Sequence, residues 1–386
     1  MRSSVCSYVV CAICILLVLG LMPSHTGVSV VGVEKFSMAY VFSGDVLTQI
    51  GYVEQTNGSL HVVSPSGWFN LNADGSLQVP ANRSQFVSRM HELGVRVVVC
   101  LNNHWDQSAG VNALENADFL TTQLAYYVEL YDLDGINVDI ENVTFAQRDL
   151  YTNFVALLRA KIPLHKEVSV AVGANPAGTT MGWVGAYDYA ALSVYVDYFM
   201  IMTYDEHFEG GSAGSVSSIS FVEQSIQYVL TKTTGDKIVM GIPFYGRLWS
   251  VESSGFSGVE VTNDDIASIV EMYGGVVSFD VVSQSAKVEF TVKEGDALLA
   301  IQGQHLVVGR YVVWFEDAQS VQAKMRLVHK YGIKGVGVWA LGQEDRAIWS
   351  SYVNWLNGYG CSDGFLHGSL ASSVVSLVLY RLNKWW

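Results

Sequence analysis

Apolar residues recur along the middle of the chain in two alternating patterns. Short runs rich in β-branched and aromatic residues stand at 36–42 (FSMAYVF), 60–64 (LHVVS), 95–101 (VRVVVCL) and 135–140 (GINVDI). They continue at 167–173 (EVSVAVG), 196–204 (VDYFMIMTY), 237–244 (KIVMGIPF) and 334–341 (KGVGVWAL). Between these runs, 86–94, 117–133, 149–163 and 221–234 carry apolar groups at helical spacing. Near-continuous apolar strands separated by amphipathic helices suit a parallel sheet buried on both faces, and eight strands are the number that closes a β/α barrel. The pattern therefore predicts an α/β chain built as a TIM (β/α)8 barrel.

One interval breaks the rhythm. From about 248 to 311 the runs YGGVVSFD, AKVEFTVKEGD and HLVVGRYVVWF alternate with period two, which predicts a small α+β insertion before the eighth strand. Loops on that side of a barrel build the site, so the insertion is expected to wall a substrate groove.

The chemistry concentrates on the fourth strand. In DLDGINVDIENV, Asn137, Asp139 and Glu141 share one parity and Ile136, Val138 and Ile140 the other, so three polar groups enter the barrel interior in file. Burying two carboxylates is costly unless they share a proton or hydrogen bonds, and such a pair separates into an acid and an electrostatic helper. Glu141, last in the file, is expected nearest the mouth, with Asp139 one layer below.

The ends are expected to lie outside the barrel. Arg2 precedes an apolar run from Val5 to Met22, so residues 1–27 are expected to form a signal peptide or an N-terminal anchor. The chain is then secreted or extracytoplasmic, or attached to a membrane through this segment with the barrel outside the cytosol. Cys6, Cys11 and Cys14 fall within it, leaving Cys100 and Cys361, too few for a disulfide framework. Residues 358–386 read as a C-terminal extension. Asn57, Asn82 and Asn142 begin N-x-[ST] sequences and are candidate glycan acceptors.

Charge and histidine spacing narrow the function further. With 36 acidic against 22 basic side chains and a net charge of -14, the chain repels phosphate backbones, which argues against nucleic acid as a partner. His91, His104 and His207 lack metal-ligand spacing, so neither metal nor cofactor is expected.

The fourth-strand segment resembles the D-G-x-D-x-D-x-E signature of glycoside hydrolase family 18, with Asp134, Gly135, Asp139 and Glu141 in register and Asn137 in place of the first inward aspartate. MIMTYDEH, GIPFYGRLW and GVGVWALGQED resemble the family's sixth-, seventh- and eighth-strand motifs, and SMAY its first, so the similarity spans 34–357. SPSGWFNLNADGSL, NHWD and MTYDEH point toward the bacterial spore-cortex and cell-wall N-acetylglucosaminidase branch.

The resemblance implies a retaining glycosidase acting at N-acetylglucosamine in a polysaccharide or oligosaccharide. It makes Glu141, Asp139, Tyr204 and Asp205 catalytic, and Tyr40, Asn137, Trp339, Arg247 and Trp105 substrate-binding. A peptidoglycan-type glycan is the first expectation. A chitinase acting through the same residues and a lectin-like binder on the same scaffold are the alternatives.

Overall fold

The computed structural model describes residues 34–359 apart from 79–80 and 253–254. The first half runs β1 (Phe36–Val41), α1 (Val46–Glu54), β2 (Val62–Pro65), β3 (Phe69–Asn70), α2 (Ser84–Glu92), β4 (Arg96–Asn102), α3 (Gln107–Glu115), α4 (Ala117–Leu130), β5 (Gly135–Asp139) and α5 (Arg148–Lys161). Then come β6 (Glu167–Gly173), α6 (Tyr189–Leu192), β7 (Phe199–Met202), α7 (Ile219–Leu230) and β8 (Ile238–Pro243). After β8 an insertion comprises β9 (Gly246–Ser250), β10 (Ser257–Val261), α8 (Asn263–Tyr273), β11 (Val276–Asp280), β12 (Ser285–Val292), β13 (Ala300–Ile301), β14 (Gln304–His305) and β15 (Gly309–Phe315). The chain then returns through α9 (Ala318–Lys330), β16 (Gly335–Trp339) and α10 (Trp349–Leu356).

Strands β1, β2, β4, β5, β6, β7, β8 and β16 pair in parallel in that order, and β16 pairs back onto β1, closing the predicted eight-stranded barrel. Strand parity then divides the apolar residues into two cores. Ala39, Val97, Val99, Ile136, Val138 and Ile201 point outward and pack under the helices, while Met38, Tyr40, Val98, Cys100, Met200 and Val239 fill the interior. The helices meet the outer face with residues at helical spacing, as in α5, where Tyr151, Phe154, Val155 and Leu158 are all buried. Each such side chain contributes roughly 1.5–3 kcal/mol by leaving water.

The insertion is a five-stranded antiparallel sheet in the order β10-β9-β15-β12-β11, with α8 against it. Leu248, Val288, Phe290, Tyr311 and Val313 belong to a core of its own. Its span, Gly246–Phe315, is wider at both ends than the alternating pattern implies, because β9 starts only two residues after β8 and β15 runs on to Phe315. Helix α8 is delimited by reciprocal capping between Thr262 and Asp265 and by a left-handed Gly274 at φ 67°.

The expected membrane attachment requires correction. Among the described residues no helix is long and apolar enough to cross a membrane. Segment 1–27, on which that expectation rests, lies outside the described residues, as does the tail from 360 onward. The possible membrane attachment is therefore withdrawn, and an N-acetylglucosamine-containing glycan remains the expected partner.

Candidate active site

The register between β4 and β5 places Cys100 beside Asn137 and Asn102 beside Asp139, so four inward residues share the upper half of the barrel. Asn137 is fully buried, and its amide direction is set by its neighbours. Tyr40 donates to its Oδ1 at 2.7 Å, and its Nδ2 donates to Ser169 Oγ at 2.9 Å. Ser169 in turn donates to Glu167 Oε1 at 3.2 Å, and Arg96 holds Glu167 Oε2 at 2.9 Å. An oriented chain of hydrogen bonds thus runs from Tyr40 to the first residue of β6.

Asp139 is poorly satisfied by comparison. Its Oδ2 faces the Cys100 thiol at 3.6 Å and Asn102 Nδ2 at 3.4 Å, both long contacts, and its buried Oδ1 receives no hydrogen bond from the described residues. Burial pushes its pKa up to about 6 from an ordinary 3.8. Glu141, just beyond β5, has its pKa raised well above the ordinary value by burial and then by the charges of Asp139 and Asp205. The two carboxyl groups form an interacting pair in which the charge of Asp139 makes Glu141 harder to ionise.

The end of β7 supplies Tyr204 and Asp205. Tyr204 has room because Gly241 lies beneath it, where an added Cβ would come within 3.0 Å of the phenol ring. Burial, followed by the charges of Asp139, Glu141 and Asp205, pushes the phenol pKa well up, so it remains a hydrogen-bond donor. Asp205 turns at φ 57°. Its carboxylate accepts from Tyr245 Oη at 2.6 Å, Arg247 Nε at 2.8 Å and Arg247 Nη2 at 2.9 Å. Arg247, the second residue of β9, also donates Nη1 to Gly258 O at 2.8 Å, so the insertion is tied directly to the barrel mouth.

Aromatic rings line the same end. Trp339 ends β16, tilted against Tyr40 at 5.1 Å and stacked on Phe42 at 5.5 Å and 12°. Trp105, in the loop after β4, is 50% exposed and packs edge-on to Trp183 at 5.1 Å. Asn142 Nδ2 donates to Trp105 O at 2.9 Å, which brings that loop beside Glu141. Of the three candidate glycan acceptors, Asn57 and Asn82 are exposed, whereas Asn142 is half-buried with this amide hydrogen bond in place.

The structure therefore gathers Tyr40, Asn137, Asp139, Glu141, Tyr204, Asp205, Arg247, Trp339 and Trp105 at one end of the barrel. It adds residues that sequence reasoning passed over. Cys100 and Asn102 cradle Asp139, Tyr245 helps hold Asp205, and Asn103 binds the main chain of Glu141. The inward parity of Cys100 and Asn102 on β4 was an available signal, whereas Asn103 and Tyr245, although they fall within NHWD and GIPFYGRLW, carried no local sign of what their side chains hold.

The family profile described as Glycosyl hydrolases family 18 matches residues 60–344. The chain is 33% identical over 235 residues to the uncharacterized glycosylase YvbX of Bacillus subtilis, covering 60% of this chain and 64% of that protein. It is 29% identical over 229 residues to the cortical fragment-lytic enzyme of the same organism, covering 58% of this chain and 50% of that one. The match thus spans between half and two thirds of these relatives' own length. Among solved structures, the spore cortex-lytic enzyme SleL of Bacillus cereus superposes with a TM-score of 0.73 at 22% identity, over 85% of this chain and 75% of that one, a likeness of fold. The chain belongs to glycosyl hydrolases family 18.

Proposed function

We propose that this chain is a retaining β-N-acetylglucosaminidase that cleaves β-1,4 bonds in peptidoglycan or a related wall glycan, outside the cytosol, with the substrate's own acetamide as nucleophile. The observation that carries this reading is the condition of the carboxyl groups. Burial and the charge of Asp139 keep Glu141 hard to ionise, which suits it to giving up a proton, and Asp205 has both oxygens engaged by Tyr245 and Arg247, which suits it to holding rather than attacking. With Glu141 as the acid, Asp139 buried below it and Asp205 held by Tyr245 and Arg247, the acetamide carbonyl is the group proposed to attack the anomeric carbon.

Glu141 protonates the leaving oxygen, and the acetamide oxygen closes onto the anomeric carbon as the glycosidic bond breaks, giving a cyclic oxazolinium. Asp139, ionised, takes the acetamide N–H and balances the positive charge that develops. Tyr204 donates its phenolic hydrogen to the acetamide oxygen. Water, deprotonated by Glu141, then opens the ring from the face the leaving group left, so the configuration is retained. Trp339 and Tyr40 form the floor under the sugar ring, with Asn137 holding Tyr40 in place, and Arg247 fixes Asp205 against the substrate. Trp105 offers a flat face farther out. Kinship with proteins named for cortical-fragment and spore-cortex lysis supports a wall glycan over chitin.

The test incubates the purified chain and its Glu141→Gln variant with intact peptidoglycan and with chitin oligomers, reading product masses and, by NMR, the anomer first formed. Fragments with N-acetylglucosamine at the reducing end, formed initially as the β-anomer and absent with the variant, support the proposal. Turnover of chitin oligomers alone overturns the wall assignment in favour of a chitinase, and equal binding without turnover by both forms indicates a lectin.

A further inference from the structure

Asn103 follows β4, is 1% exposed, and uses both ends of its carboxamide on the main chain of a neighbouring loop. Its Oδ1 accepts Glu141 N–H at 2.8 Å, while its Nδ2 donates to Glu141 O at 2.8 Å and to Asp106 O at 2.8 Å. Bonds to the amide and the carbonyl of one residue fix both peptide planes about its Cα, and hence the direction in which its side chain leaves. Gly110 on α3 permits the arrangement, since a Cβ there would stand 2.9 Å from Asn103 Nδ2 and 2.7 Å from Val143 Cγ1.

The same two loops are tied a second time. Asn142 Nδ2 donates to Trp105 O at 2.9 Å, and Gln107 Nε2 donates to Asn142 O at 3.0 Å. These bonds hold backbone that side chains disfavour, with His104 at φ 49°, Trp105 at 63° and Asn142 at 58°. Each such residue costs on the order of 1–3 kcal/mol, so the surroundings must over-determine the conformation. What the strained turn achieves is the display of Trp105, half-exposed and braced edge-on by Trp183.

We infer that Asn103 is a positioning residue that couples a sugar ring stacked on Trp105 to the orientation of the Glu141 carboxyl group. The inference rests on the proposed glycosidase reading, with Glu141 as its acid. A ring on Trp105 loads the 103–107 loop, and Asn103 passes that load to the Glu141 main chain. The coupling therefore acts on turnover of glycans long enough to reach Trp105.

The experiment uses the full chain, soluble N-acetylglucosamine oligomers of short and long length, and 13C-carboxyl NMR titration of Glu141. Asn103→Ala is expected to lower kcat by about ten- to a hundredfold with KM nearly unchanged, the cost of a misplaced catalytic group. Its alkaline limb and the Glu141 titration both move toward lower pH. Trp105→Ala slows long oligomers in the parent chain and adds nothing in the Asn103→Ala background. Asn142→Gly, which suits its positive φ, slows long oligomers alone. Unchanged kcat and titration in Asn103→Ala, or losses that simply multiply with Trp105→Ala, overturn the inference. If Asn103→Ala does not fold, Asn103→Asp keeps the acceptor and removes the donors, and parent-like kcat and titration in it overturn the inference equally. If the parent chain turns over no glycan at all, the proposed function falls, and the Glu141 titration with and without bound oligomer still decides whether Asn103 positions that residue.

Discussion

Tyr40 donates its phenolic hydrogen to Asn137 Oδ1 at 2.7 Å, which leaves the Asn137 amide nitrogen facing Ser169 rather than Asp139. Asn137→Asp keeps the acceptor for Tyr40 but turns a second oxygen toward Ser169, whose own hydrogen is committed to Glu167. The variant also buries a third carboxyl group beside Asp139 and Glu141. The expected result is a further rise in the pKa of Asp139, an acid limb of kcat/KM shifted to higher pH, and a stability loss of about 1–3 kcal/mol at neutral pH. Denaturant titration and a pH–rate profile of the variant check both, and a profile superimposable on the parent's refutes the argument.

The barrel was legible because the strand period is two and the helix period about 3.6, and both are local. Asn137, Asp139 and Glu141 could be placed on one face from five consecutive residues. Asn103 could not be assigned, because its partner Glu141 lies 38 residues away and the bond goes to main chain, which leaves no trace in residue type. Tyr245 was hidden for a related reason. It stands in the two-residue link between β8 and β9, and its partner Asp205 is 40 residues earlier.

The pH dependence follows from the Asp139–Glu141 pair. In the proposed mechanism ionised Asp139 and protonated Glu141 are the working forms, so kcat/KM is expected to rise through about 6 and fall at higher pH as Glu141 loses its proton. Asp139→Asn removes the acid limb along with most of the activity. Stability has the opposite sense. Because the folded form of Asp139 binds its proton more tightly than the unfolded form, stability decreases as pH rises from 3.8 to about 6. Asp139→Asn flattens that decline, and denaturation midpoints across the window measure it.

Arg247 links the insertion to the barrel through two bonds to Asp205 and one to Gly258 O. Lysine presents a point charge in place of the planar fork, so Arg247→Lys cannot reproduce all three contacts. The expected effect is a weaker hold on Asp205, a KM several-fold higher, and a stability loss of about 1–2 kcal/mol, kept modest because the Asp205 side chain is 40% exposed. Steady-state kinetics and a melting curve test it, and an unchanged KM refutes the assigned role.

Glu316 and Lys324 form a 2.6 Å ion pair with both side chains fully buried, where β15 hands the chain back to α9. Ser285 on β12 adds a hydrogen bond to Glu316 Oε1 at 3.4 Å, so the pair joins the insertion sheet to the helix that leads into the last barrel strand. Removing one partner strands a buried charge, and Lys324→Met is expected to cost about 3–5 kcal/mol at pH 7. Burial already raises the pKa of Glu316, with Lys324 opposing it, so without the lysine its carboxyl takes up a proton in the folded state. The folded variant then binds more protons than the unfolded chain, and its deficit shrinks as pH falls toward the ordinary glutamate range. Pairing Lys324→Met with Glu316→Gln removes both charges and recovers most of the loss. Denaturation midpoints of the three variants at pH 5 and 7 decide the matter, and equal deficits for the single and double variants refute the pairing argument.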